Sequence, residues 1–178
     1  MRHDLLWLSV PALAAAALPA HAVQYLTLEQ AQHALFPEAS GFRDAKLLLS
    51  AEQREAIEKA SKVRVRSPEL HAWRAEAGGK LAGWLLVDEV YGKHEFITYA
   101  LALDATGAVR GIEIMDYRET HGAQVRNAAW RAQFIGKRAG APLELDKDIQ
   151  NISGATLSCK HMAEGVRRLL ATYEVALK

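Results

Sequence analysis

Four apolar runs in the middle of the chain, cut by short glycine-containing turns, constrain the fold more than any other stretch. His71–Ala75, Leu81–Val90, Phe96–Leu103 and Val109–Met115 are dense in Leu, Val, Ile and aromatic residues, the side chains that suit a pleated, half-buried surface. Their separators are Gly78-Gly79, Gly92-Lys93 and Asp104-Ala105-Thr106-Gly107. The last two are hairpin-like, so successive strands should run antiparallel.

Helical spacing surrounds this block. Thr27 precedes Leu28, Ala31, Ala34 and Leu35, a capped helix that Pro37 should stop. Ser50 to Ser61 alternates Glu52, Glu55 and Glu58 with Arg54 and Lys59, followed by Lys62, and reads as a solvated helix. Residues 124–135 read as another helix, with Val125, Ala128, Ala129 and Ala132 on one face and Gly136 closing it. Residues 138–152 lack periodic apolar positions and read as a loop. Met162, Val166, Leu169, Leu170 and Tyr173 form one face of a final helix. Helix, then strands, then helices is the order of an α+β domain: a single central antiparallel sheet packed by helices.

The N-terminus reads as a secretory signal over residues 1–22. Arg2 gives the positive start, Leu5 to Leu18 is almost wholly apolar, and Ala20-His21-Ala22 has the small-x-small form of a cleavage site. Pro11 and the shortness of the run favour a cleaved signal over a membrane anchor. The formal net charge of +1 gives no nucleic-acid footprint. Cys159 is the single cysteine; it rules out an internal disulfide framework and reads as a small core residue. His33, His71, His94, His121 and His161 are not spaced as metal ligands, so no metal site is expected.

Ser153-Gly154-Ala155-Thr156-Leu157 opens the final helix. Ser153 and Thr156 are both N-cap types, and Gly154 permits a sharp turn or the close approach of a ligand. A helix start offers unpaired N–H groups and partial positive charge, which suits a phosphate. Lys160, His161, Arg167 and Arg168 add positive charge further along. The same residues also make an ordinary capped helix.

The run Asp148-Ile149-Gln150-Asn151-Ile152-Ser153-Gly154-Ala155-Thr156-Leu157-Ser158 resembles the flavinylation motif of the FMN-binding domain family. That family includes the C subunit of the sodium-pumping NADH:quinone reductase and the G subunit of the Rnf electron-transport complex. Asp116-Tyr117-Arg118-Glu119-Thr120-His121-Gly122, with Trp130, Phe134 and Gly136-Lys137 after it, resembles the family's Glu-Thr-x-Gly loop and the helix that follows. The resemblance covers about residues 78–175, which leaves 23–77 as an N-terminal helical and strand part of the mature domain.

The resemblance implies FMN held by a phosphoester on Thr156, placed there by a flavin transferase, with Ser153, Gly154, Ala155 and Leu157 around it. It places Glu119, Thr120 and Gly122 near the flavin ring, and the Tyr91-Gly92 turn beside it, where Lys93 or His94 could supply positive charge. The motif usually has Asp three residues before its Ser, where Gln150 stands here; Gln150 can hydrogen-bond but cannot act as a carboxylate. The implied function is an exported, periplasmic electron carrier working with a membrane-bound electron-transport partner, which could hold it at the outer face of the inner membrane. No residue set suggests a substrate pocket with its own acid and base, so a carrier or redox subunit is expected over a self-sufficient enzyme. A non-covalent flavin-binding module and a small flavin-dependent reductase are the alternatives.

Overall fold

The computed structural model describes residues 23–119 and 122–178. The proposed signal peptide, Thr120 and His121 lie outside the described residues. The sheet is built on four long strands: β4 (Glu69–Ala77), β5 (Lys80–Tyr91), β6 (Phe96–Asp104) and β7 (Val109–Tyr117). Each pairs antiparallel with the next, and the expected runs are all present, lengthened by one to four residues. β1 (Val23–Gln24) adds to the free edge of β7. β2 (Gly41–Asp44) and β3 (Leu47–Leu48) lie end to end along the outer edge of β4. The order is β1-β7-β6-β5-β4-β2. The three short strands lack a clear alternating pattern, and pairing partners far along the chain define them.

β6 is buried on both faces. Ile97, Tyr99, Leu101 and Leu103 point into the larger core with α4 (Thr156–Thr172), while Ala100 and Ala102 point the other way, under α1 (Leu28–Leu35) and Phe36. Strand side chains alternate between faces, so the large and small residues are sorted here into a deep layer and a shallow one. α2 (Ala51–Ser61) lies apart, covering Val65 and Ala171 with Ile57. Both α1 and α2 begin on the expected cap: Thr27 and Ser50 each accept from the third helical N–H, and Gln30 and Gln53 return the bond.

β7 carries two irregularities. Against β6, Arg110 and Met115 are extra residues, since Leu103 pairs with Val109 but Ala102 with Gly111, and Tyr99 with Ile114 but Thr98 with Asp116. Each bulge reverses the alternation. The second therefore turns Tyr117 onto the α4 face with Ile112 and Ile114.

The helix expected over 124–135 is broken. The structure has a 3-10 turn at Ala123–Arg126, one α turn, α3 (Ala128–Arg131), and a second 3-10 turn at Ala132–Phe134. Its buried residues are Val125, Trp130 and Phe134, while Ala128, Ala129 and Ala132 are not buried. The two large rings, edge to face at 5.2 Å, set the orientation of this segment against the pull of the alanine face. Gly136 ends it with φ 79°. Residues 138–152 form a loop, as expected, though it places Leu143 and Ile149 in the core. Among the described residues no helix is long and apolar enough to cross a membrane.

α4 buries its expected face, Met162, Val166, Leu169 and Leu170, together with Cys159, and Tyr173, also buried, opens a π-helical turn at Tyr173–Leu177 directly after it. Burial pushes the Cys159 thiol up, as suits an inert core residue. Gly165 lets the helix press onto the sheet, because a Cβ there would meet Tyr99 Oη at 2.5 Å and Val90 Cγ1 at 2.7 Å. A largely buried ion pair, Arg168 to Asp88 at 2.5 Å, locks the contact, and the Tyr99 hydroxyl donates to the same carboxylate at 2.8 Å.

Candidate functional site

α4 begins at Thr156, and its N-cap is Ala155, which has no side chain to accept from the first turn. This corrects the expectation that Ser153 or Thr156 caps the helix. Gly154, at φ 81°, makes the turn before it, and no atom lies within 4 Å of where its Cβ would be. Ser153, Gly154, Thr156 and Leu157 are exposed. The N–H groups of the first turn thus face open space beside an exposed hydroxyl, with partial positive charge.

The turn is held from behind. Trp130 Nε1 donates to Gln150 O and Gln150 N donates to Gln133 Oε1, both at 2.7 Å. Gln150 is therefore fixed through its main chain, and its side chain is exposed. The nearby acid Asp148 accepts from Leu143 N and Glu144 N and pairs with Lys137 at 3.1 Å, so it shapes the preceding loop.

The opposite wall is the hairpin between β5 and β6. Gly92 N bonds Glu95 O, and the Tyr91 hydroxyl donates to His94 O at 2.6 Å. Three successive hairpin N–H groups, from Lys93, His94 at 2.5 Å and Glu95 at 3.0 Å, converge on Glu119 Oε1. This is an anion nest occupied by the protein's own carboxylate. Burial raises the Glu119 pKa, but the donors from His94, Glu95 and Lys93 and the charge of His94 outweigh it, and the net direction is down. Gly92 makes the approach possible: a Cβ there would lie 2.5 Å from Glu119 Oε1.

Three further contacts bring loop, hairpin and helix together. Gly122, buried with φ 83°, would direct a Cβ to 2.8 Å from Tyr117 Oη and 3.1 Å from Ala155 Cβ. Tyr117 and Ser158 share a side-chain hydrogen bond. His161 donates from Nδ1 to Tyr91 O. The result is an open cleft of ≈ 500 Å³ lined by Lys93, His94, Glu119, Gly154, Ala155, Thr156, Leu157 and Ser158, within the size range of ligand pockets. Of the residues anticipated from sequence, Ser153 lies in the turn just outside this lining and Gly122 lies beneath it. The distant cations of α4 do not reach it: Arg167 donates to Pro142 O at 2.8 Å and Arg168 is held by Asp88. Tyr117 and Ser158 are not among the residues anticipated for the site, since a bulge and a close approach leave no pattern in the sequence; the Tyr91-Gly92 turn is anticipated there, but not the packing of Gly92 against Glu119.

Residues 92–171 match the family model of the FMN-binding domain. The G subunit of the Na(+)-translocating ferredoxin:NAD(+) oxidoreductase complex of Acetobacterium woodii is 26% identical over 156 residues, covering 81% of this chain and 72% of the relative. The crystal structure of Shewanella oneidensis NqrC matches with a TM-score of 0.54 at 12% identity, over 82% of this chain and 88% of that one, a likeness in fold. The FMN-binding domain match opens at Gly92, in the nest hairpin, and ends in α4, so both walls of the cleft lie inside it.

Proposed function

We propose that this FMN-binding domain holds FMN through a phosphoester on Thr156 and works as an exported electron carrier, exchanging electrons with a membrane-bound donor and a second redox partner. The observation that carries the reading is the exposed Thr156 hydroxyl at an uncapped helix start on the cleft. The donor set fits the group: free first-turn N–H groups suit a phosphate, the space at Gly154 admits one, and Lys93 and His94 offer positive charge across the cleft. FMN would supply the redox chemistry. Glu119 would hold the hairpin wall in place, and Gly122 would shape the loop beside the ring.

A flavin transferase would attach the group. Thr156 Oγ1 loses its proton and forms a bond to the FMN phosphorus of FAD, the pyrophosphate bond breaks, and AMP leaves. A carrier so loaded cannot lose its flavin by diffusion, which matters outside the cytoplasm. Residues 1–22 would be the export signal, 23–77 the N-terminal part of the mature domain and 78–175 its flavin-binding core.

The test is co-expression of the full chain with a flavin transferase, followed by denaturation, in-gel flavin fluorescence and intact mass. The expected mass is that of residues 23–178 plus one FMN less water. Thr156→Ala abolishes the fluorescence, whereas Ser153→Ala keeps it. A fluorescent Thr156→Ala band would overturn the attachment site, and a wild-type mass retaining residues 1–22 would overturn the processing.

A further inference from the structure

Beside the flavin cleft, on the far side of the same hairpin, lies a second surface with a different chemistry. In Lys62-Val63-Arg64-Val65-Arg66 the cations alternate with valines; Val65 is buried and Lys62, Arg64 and Arg66 are exposed. The segment is fixed in this presentation. Val65 N donates to Glu58 Oε1 at 2.8 Å, Val63 N to Ser61 Oγ at 3.2 Å, and Lys62 closes α2 in the left-handed region at φ 56°. Among the described residues none of the three cations has a carboxylate within ion-pair distance. Of the acids nearby, Asp88 is paired with Arg168 and Glu164 lies toward Lys160, while Glu89 takes the Thr98 hydroxyl and keeps its charge, so the cations outnumber the acids of this surface without being matched to them.

The cations face two concave clefts. Lys62, Arg64 and Arg66 line one of ≈ 230 Å³ with Tyr91, His161 and two acids, Glu89 and Glu164. Arg66 also lines the next, ≈ 560 Å³, with Phe96 at its edge. Tyr91 and Phe96 are 38% and 45% exposed and pack edge to face at 5.3 Å. An exposed aromatic pair beside pre-ordered arginines has the composition of a protein-binding surface: aromatic and Arg anchors with complementary charge. The recesses need a partner with projecting side chains, which a flat lipid surface lacks.

We infer that Lys62, Arg64, Arg66 and the Tyr91–Phe96 pair form the docking surface for an acidic protein partner. Its position relative to the cleft gives it a role. Tyr91 belongs to the hairpin that walls the flavin cleft, and His161, bonded to Tyr91 O, lies five residues along α4 from Thr156, about 7.5 Å at the helical rise. A partner seated on the cations is held against the rim of the flavin site. Such contacts are steered by charge and form transiently. The inference rests on the flavin reading only for what is exchanged, since docking itself needs no flavin.

The test uses the full mature chain, with and without flavin, and a plant-type [2Fe–2S] ferredoxin as an acidic one-electron probe protein. Titration calorimetry is run at low and at physiological ionic strength, beside the basic carrier cytochrome c and vesicles of anionic phosphatidylglycerol. The expected result is ferredoxin binding that weakens about tenfold or more with added salt and with Arg64→Glu/Arg66→Glu, while cytochrome c binding strengthens in that variant. In the flavin-loaded protein the same variant slows ferredoxin-driven reduction but leaves reduction by dithionite unchanged. Ferredoxin binding that ignores both salt and the charge reversal overturns the inference, as does binding to the vesicles alone. Because the binding arm runs on flavin-free protein, an unflavinylated Thr156 would leave it standing, and a failed docking would leave the fluorescent band intact.

Discussion

At the scale of single residues, Glu119 links the two walls of the cleft. Its carboxylate takes three backbone N–H groups from the hairpin, and it ends the strand-to-loop passage that places Gly122 under Ala155. Its pKa is held down, so the bonded, ionised form stabilises the fold above the ordinary carboxylate range, and that contribution fades as pH falls through the lowered folded value. Glu119→Gln keeps an acceptor oxygen but loses the charge. Hydrogen bonds to charged groups are worth about 1 kcal/mol more each than neutral ones, and three converge here, so urea unfolding at neutral pH should show the variant less stable by about 1–3 kcal/mol. The two proteins should converge in acid, where the wild type loses the same charge. Stability curves that run parallel down to pH 3 would show that the nest gains nothing from ionisation.

At the scale of elements, α4 sits as close to the sheet as a glycine allows. Two effects oppose each other at Gly165→Ala. Replacing a mid-helix glycine gains about 0.5–1 kcal/mol in helix propensity, yet the new Cβ would stand 2.5 Å from Tyr99 Oη and 2.7 Å from Val90 Cγ1. Tyr99 is wholly buried and its hydroxyl is bonded to Asp88, so it has little room to yield; overpacking of this kind costs about 1–3 kcal/mol. The net expectation is a melting temperature lower by about 2–6 °C, and a rise would mean that α4 shifts freely. The apolar face of α4 was legible because its period of 3.6 is written in Met162, Val166 and Leu169, as were the four long strands with their glycine turns. The segment 124–135 was misread because the sequence weighs four small residues on one face while the fold is decided by Trp130 and Phe134. At the site, Thr156, Gly154 and Glu119 stand out as residue types in a motif. Tyr117 faces Ser158 only through a bulge at Met115, and β1, β2 and β3 are too short to carry a period; both depend on partners distant in the chain.

At the scale of the whole molecule, the match to the FMN-binding domain starts at Gly92, but the forces that hold the sheet begin earlier. β4 pairs with β5 from Ala77–Lys80 through His71–Val87, so the boundary between residues 77 and 78 cuts a hairpin. Ala31, Leu35, Phe36 and Ala75 cover Leu85, Ala100 and Ala102 on the face away from α4, and Leu49, Ile57 and Val65 cover Ala171. A fragment of residues 78–178 would retain the motif and both walls of the cleft, yet it would expose an unpaired edge of β5 and one apolar face of the sheet. Unpaired edges and bare apolar faces drive association. The expectation is a fragment that aggregates or unfolds without cooperativity in a thermal melt followed by circular dichroism, and that fails to become fluorescent beside a flavin transferase if acceptance of the flavin requires the assembled cleft. A soluble fragment with a sharp transition would instead show that residues 23–77 are an appendage, and that β5 to β7 with α4 suffice to build the site.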